Sequence, residues 1–200
     1  LHDALPISIA AGSGLEVYYQ PCVDLRSNEI TGCEALVRWR HPVRGMISPA
    51  EFVPIAEETG LINQLGEWVL MTACKEAVNW PDQIRLAVNV SPIQFRSGTL
   101  ALKVIAALAA SGLSAGRLEL EITEAVLIRD DETALAAMHQ LRAIGIRIAL
   151  DDFGTGYSSL SYLKRFPFDK IKIDRCFVTD IADPQGSAGI VEIGRASCRE

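Results

Sequence analysis

Six stretches of the chain carry a strand pattern of apolar and polar positions, and helical patterns lie between most of them. "LEVYYQPCVDL" and "ITGCEALVRW" are β-rich and separated only by "RSNE". A connection that short makes the pair antiparallel. In "SPAEFVPIAEETG", Ser48 is placed as an N-cap, with Pro49 at the first helical position and Glu51 completing a capping box; Gly60 can end the helix. "INQLGEWVLMTACKEAVNW" sets Leu65, Val69, Thr72, Ala73 and Ala77 at helical spacing. Strands and helices then alternate. "RLAVNVS" precedes the helix "LALKVIAALAASG", and "RLELEIT" precedes "DETALAAMHQLRAIG". "RIALDD" precedes "SSLSYLKRF", which Pro167 closes, and "DKIKID" follows. Strands that alternate with amphipathic helices predict parallel βαβ units, here with the first strand reversed.

Alternation along a strand puts Glu34, Leu36 and Arg38 on one face. The same holds for Ala87, Asn89 and Ser91, for Glu119, Glu121 and Thr123, and for Lys170, Lys172 and Asp174. Polar groups therefore recur near the C-terminal ends of successive strands, the rim at which a (β/α) barrel places its chemistry. Taken singly, each has an ordinary explanation: a charged strand end, a surface arginine, a turn-forming asparagine. Taken together, the strand ends carry Glu, Asn, Glu and the adjacent pair Asp151–Asp152, with no histidine or thiolate. This hard-oxygen set suits Mg²⁺ or Mn²⁺ rather than zinc or copper. A shared cation would also offset the repulsion between two adjacent carboxylates at the mouth of a buried strand.

Composition narrows the classes further. The 200 residues are 49% hydrophobic with a net charge of −6, which fits one globular domain and gives no basic groove for nucleic acid. No apolar run approaches the ~18 residues of a membrane span, and "LHDALPIS" lacks the features of a secretory signal. The five cysteines are scattered and form no C-x-x-C pair, which argues against a disulfide framework or zinc site and fits a reduced cytoplasmic setting. Among the histidines, His41 reads as a turn residue and His139 as an ordinary helix residue.

The ordered set "YYQP", "CEALVRW", "SPAEFVPIAEETGLI", "VNVSPIQF", "LELEITE", "LDDFGTGYSSLSYLK" and "KIKIDRCFV" closely resembles the EAL domain, the bacterial cyclic di-GMP phosphodiesterase family. The resemblance implies an α/β fold, a modified TIM (β/α)8 barrel whose first strand is antiparallel. It implies hydrolysis of cyclic di-GMP to linear pGpG by a two-metal, cyclic-guanylate-specific phosphodiesterase. In that reading Glu34, Asn89, Glu121 and Asp151 are ligands of one Mg²⁺ or Mn²⁺, with Asp151 bridging and Asp152 holding the second ion. Lys172 contacts the attacking water, and Arg38 and Gln20 contact the substrate. Glu124 supports the "DFGTGYSS" loop, which couples metal binding to dimer contacts, so a homodimer is expected in the parent protein. No nucleic acid polymer and no membrane contact by this segment are expected. The competing function is a catalytically inactive receptor that binds cyclic di-GMP. Degenerate receptors typically lose metal ligands or the "DDFG" loop, and here the loop and every matched ligand within the covered region are intact.

Two departures from the family pattern qualify these expectations. Residues 15–192 read as a partial EAL domain with about six of eight strands, without the later "EGVE"-like and "QGY"-like strands; a fragment of this kind is expected to be inactive. Residues 1–14 and 193–200 do not resemble the family and are expected to be non-native or disordered.

Overall fold

The computed structural model describes residues 5, 8, 13–127, 131–154 and 165–174. Its frame is one sheet in the order β1 (Leu15–Val23), β2 (Ile30–His41), β4 (Arg85–Val90), β5 (Leu118–Thr123), β6 (Arg147–Phe153), β7 (Lys170–Ile173), with β3 (Gly45–Ile47) paired to the far end of β2. β1 and β2 are antiparallel, and every step from β2 to β7 is parallel.

The hairpin follows from local chemistry. Asp24 Oδ1 accepts from the amides of Arg26 (2.7 Å) and Ser27 (3.0 Å), and Asn28 takes the left-handed conformation at φ 57°. Short polar side chains tolerate that region and make these local bonds. His41 acts as expected of a turn residue: its Nδ1 accepts from the amides of Val43 and Arg44 between β2 and β3.

Helices α1 (Pro49–Glu58), α2 (Ile62–Ala77), α3 (Pro92–Phe95), α4 (Leu100–Ser111) and α5 (Asp131–Ala143) fill the connections. Ser48 caps α1 by accepting from Ala50 N at 3.3 Å. The expected reciprocal bond from Glu51 does not form, because its carboxylate pairs with Arg44 Nη2 at 2.7 Å instead. The three-residue β3 and the single-turn α3 are too short to carry a readable period. The helix expected over "SSLSYLKRF" lies almost wholly outside the described residues, as do residues 193–200. Within the leading segment, Leu5 is fully buried and Ser8 Oγ accepts from Trp39 Nε1 at 3.2 Å.

One face of the sheet is apolar. Ala35, Trp39, Leu86, Val88, Leu118, Leu120, Ile122, Ile148 and Leu150 are buried there with Phe52, Leu65, Val69, Ala73, Val104 and Leu141 from the helices. Removing these side chains from water drives the fold. The period of two then commits the alternate residues Glu34, Asn89, Glu121, Asp151 and Lys172 to the opposite face. Among the described residues, no helix is long and apolar enough to cross a membrane.

Candidate active site

The polar face gathers its charges around one ammonium group. Lys172 Nζ donates to Glu121 Oε2 at 2.6 Å, Asp151 Oδ2 at 2.9 Å and Glu34 Oε2 at 3.0 Å. These side chains come from β7, β5, β6 and β2. Strand tilt makes this possible: in a curved sheet the rungs are staggered, and residues from different rungs reach the same height. Asn89 on β4 donates its Nδ2 to Glu34 Oε1 at 2.7 Å.

Among the described residues, Glu34, Glu121 and Asp151 form a group whose ligand oxygens all lie within 4.8 Å of one another. Glu121 is 1% exposed, and its Oε1 is buried without a hydrogen-bond partner. A buried carboxylate oxygen with nothing to accept is costly in water-free surroundings. A divalent cation would satisfy it, and the all-oxygen donor set fits a hard ion. Burial pushes Glu121 up to about 7; the Lys172 hydrogen bond and charge oppose the shift, while the charges of Glu34 and Asp151 add to it. Burial alone would lower Lys172, but its hydrogen bonds to Glu121 and Asp151 outweigh that and raise it above the usual lysine range.

The other expected site residues surround this cluster. Asp152 follows Asp151 in a left-handed conformation (φ 53°), and its amide donates to Asp151 Oδ1 at 2.9 Å. It is not a member of the three-acid group. Burial, followed by the charges of Asp151 and Asp174, raises its carboxyl above the usual range. Gln20 stands opposite Glu34 in the β1–β2 register. The Arg38 guanidinium lies 5.7 Å from the Tyr18 ring centroid and donates to Val37 O at 2.9 Å. Glu124 Oε1 accepts from Gly154 N at 3.0 Å, tying the end of β5 to the loop that leaves β6. Residues 155–164 of that loop lie outside the described residues.

A cleft of about 500 Å³ opens beside the cluster, lined in part by Leu36, Arg38, Pro49, Val53, Asn89 and Glu121. Glu119 and Lys170 share faces with Glu121 and Lys172, but they form a separate pair at 2.9 Å, with Arg147 Nε 3.5 Å from Glu119. Alternation alone could not distinguish these two sets.

The chain matches the EAL domain over residues 2–200. The chain belongs to the EAL family. An uncharacterized protein of Sinorhizobium fredii, y4lL, is 54% identical over 186 residues, covering 91% of this chain and 22% of that protein. The bifunctional diguanylate cyclase/cyclic di-GMP phosphodiesterase MucR of Pseudomonas aeruginosa is 45% identical over 181 residues, covering 88% of this chain and 26% of that protein. This EAL chain thus spans about a quarter of the length of these relatives. Among solved structures, the PaMucR phosphodiesterase in complex with c-di-GMP superposes with a TM-score of 0.90 at 42% identity, covering 98% of this chain and 81% of that one. The fold expected from the sequence, α/β with a mostly parallel sheet and an antiparallel first strand, is the fold of this family.

Proposed function

We propose that the parent protein of this chain hydrolyses one phosphodiester bond of cyclic di-GMP to linear pGpG, using Mg²⁺ or Mn²⁺. The carrying observation is the gathering of Glu34, Glu121 and Asp151 with Asn89 beside a cleft, in a chain whose solved relative is a phosphodiesterase with c-di-GMP. Glu34, Asn89, Glu121 and Asp151 would hold one ion, and Asp151 and Asp152 the second. Bound there, such ions activate water and stabilise charge on phosphoryl oxygens.

The residues of the chain supply the rest. Water oxygen bonds to phosphorus, the P–O3′ bond breaks, and a proton reaches the departing 3′ oxygen; the product keeps a 5′ phosphate. Lys172, raised in pKa and held by three carboxylates, remains an ammonium at neutral pH; to contact the attacking water it would turn one of its three N–H donors away from a carboxylate. Arg38 on the cleft wall pairs with a phosphate, and Gln20 contacts the substrate from β1. Glu124 braces the loop at Gly154.

The test is a pGpG assay with Mn²⁺ and with chelator, alongside calorimetric binding of cyclic di-GMP. Turnover should require the divalent ion and vanish in Glu34→Ala, since no neighbouring group replaces a lost ligand oxygen. Activity in excess chelator would sink the mechanism. Tight binding without turnover in the unaltered parent protein would favour a receptor instead.

A further inference from the structure

Beside the acid cluster lies a second polar network. Ser91 follows β4 directly and uses all its polar groups. Its hydroxyl donates to Glu57 Oε1 at 2.5 Å and accepts from Ile93 N at 3.2 Å. Its amide donates to Gln94 Oε1 at 3.2 Å, completing a capping box on α3, and its carbonyl accepts from Phe95 N at 3.0 Å. Gln94 is only 7% exposed, and its side-chain amide sits over Gly66 of α2. A Cβ built on Gly66 would sit 1.8 Å from Gln94 Nε2 and 2.6 Å from its Cδ. Gly66 has ordinary helical geometry, so the glycine is there for space, in a helix interior that disfavours it.

Asn89 lies two residues before Ser91 and therefore on the same face of the chain. Val90, between them, is 6% exposed in the core. The strand end carrying Asn89 is thus held on one side by packing and on the other by the Ser91 network. We propose that Glu57, Ser91 and Gln94, seated against Gly66, are positioning residues that set Asn89 against Glu34. Only the relevance of Asn89 as a metal ligand rests on the function proposed above.

The test reads the side-chain amide resonance of Asn89, identified with Asn89→Ala, in the metal-free chain, and then the binding of Mn²⁺ alone. Gly66→Ala and Ser91→Ala should both move the resonance toward that of an amide that has lost its bond to Glu34. Both should weaken Mn²⁺ binding by roughly 10- to 100-fold, as is usual when a group orienting a ligand is lost. Glu57→Gln keeps an acceptor for the Ser91 hydroxyl and should behave as the unaltered chain. Val104→Ala, in the core of α4, should lower the melting temperature and leave both readouts in place. Glu57→Ala, at a half-buried position, replaces Gly66→Ala if that variant does not fold. An unchanged Asn89 resonance in the cooperatively melting variants overturns the proposal. A shifted resonance in a chain that never binds Mn²⁺ upholds the clamp and overturns the metal reading instead.

Discussion

Glu121 must hold charge where its surroundings oppose it. Its pKa rises from 4.5 to about 7, so the folded chain binds that proton more tightly than the unfolded chain does. The resulting stability is present in full below 4.5 and is lost as pH rises through about 7. The melting temperature of the metal-free chain should therefore fall between about pH 5 and 7.5, and Glu121→Gln should flatten that part of the curve. Lys172 has no effect in this window, because its stabilisation is lost only above the ordinary lysine range. Calorimetry across pH decides the matter; equal slopes in both proteins would remove Glu121 as the cause. Arg38 donates to Val37 O and lines the cleft. Arg38→Ala should accordingly raise KM for cyclic di-GMP about tenfold with little change in kcat, since a charge-assisted phosphate contact contributes on the order of 1.5–3 kcal/mol. Steady-state kinetics showing an unchanged KM would argue against that role.

Among the elements, β6 has the least visible task. Ala149 is fully buried and is the register partner of both Glu121 on β5 and Lys170 on β7. It stands on the face of β6 that carries Asp151, between the strands of Glu121 and Lys172, where a larger side chain would crowd the space between them. Ala149→Leu should fill that space. Overpacking should cost ~1–3 kcal/mol of stability, and displacing Lys172 should reduce turnover ~10²-fold or more. A melt and a pGpG assay on this variant test the two effects separately; wild-type turnover would show that the space across β6 is not needed. Element boundaries were legible where local chemistry sets them, as at the Asp24–Asn28 turn and at Gly112, which ends α4 at φ 77°. At α1 the start at Ser48 and Pro49 was legible too, and only a side-chain bond was misread, because another partner competes for it. Glu51 fits a capping box by spacing, yet Arg44 takes its carboxylate. The capping box that does form, Ser91 with Gln94, sits in a turn too short to show a period.

For the molecule as a whole, metal and fold should be linked. Uniting four strands around like charges destabilises the metal-free chain, and a cation held only by the folded state adds RT ln(1 + [L]/Kd). Mn²⁺ at about a hundred times its Kd should contribute ~2.7 kcal/mol, seen as a rise in melting temperature that chelator reverses and that Asp151→Ala abolishes. No rise would mean the cluster binds no ion under those conditions. The amino-acid sequence alone determined the alternation of strands and helices, the reversed first strand, the face on which each polar residue stands and the hard-oxygen character of the site. Those properties are local: alternation, turn residues and donor chemistry are written into neighbouring positions. Only the tertiary structure decided that Lys172 rather than Lys170 joins Glu121, that Glu119 belongs to a separate pair, that Asp152 stands apart from the three acids, and that Gly66 makes room for Gln94. Periodicity tells which face a side chain takes. Its height along the sheet depends on strand tilt and register, and these are set by pairings between residues far apart in the chain.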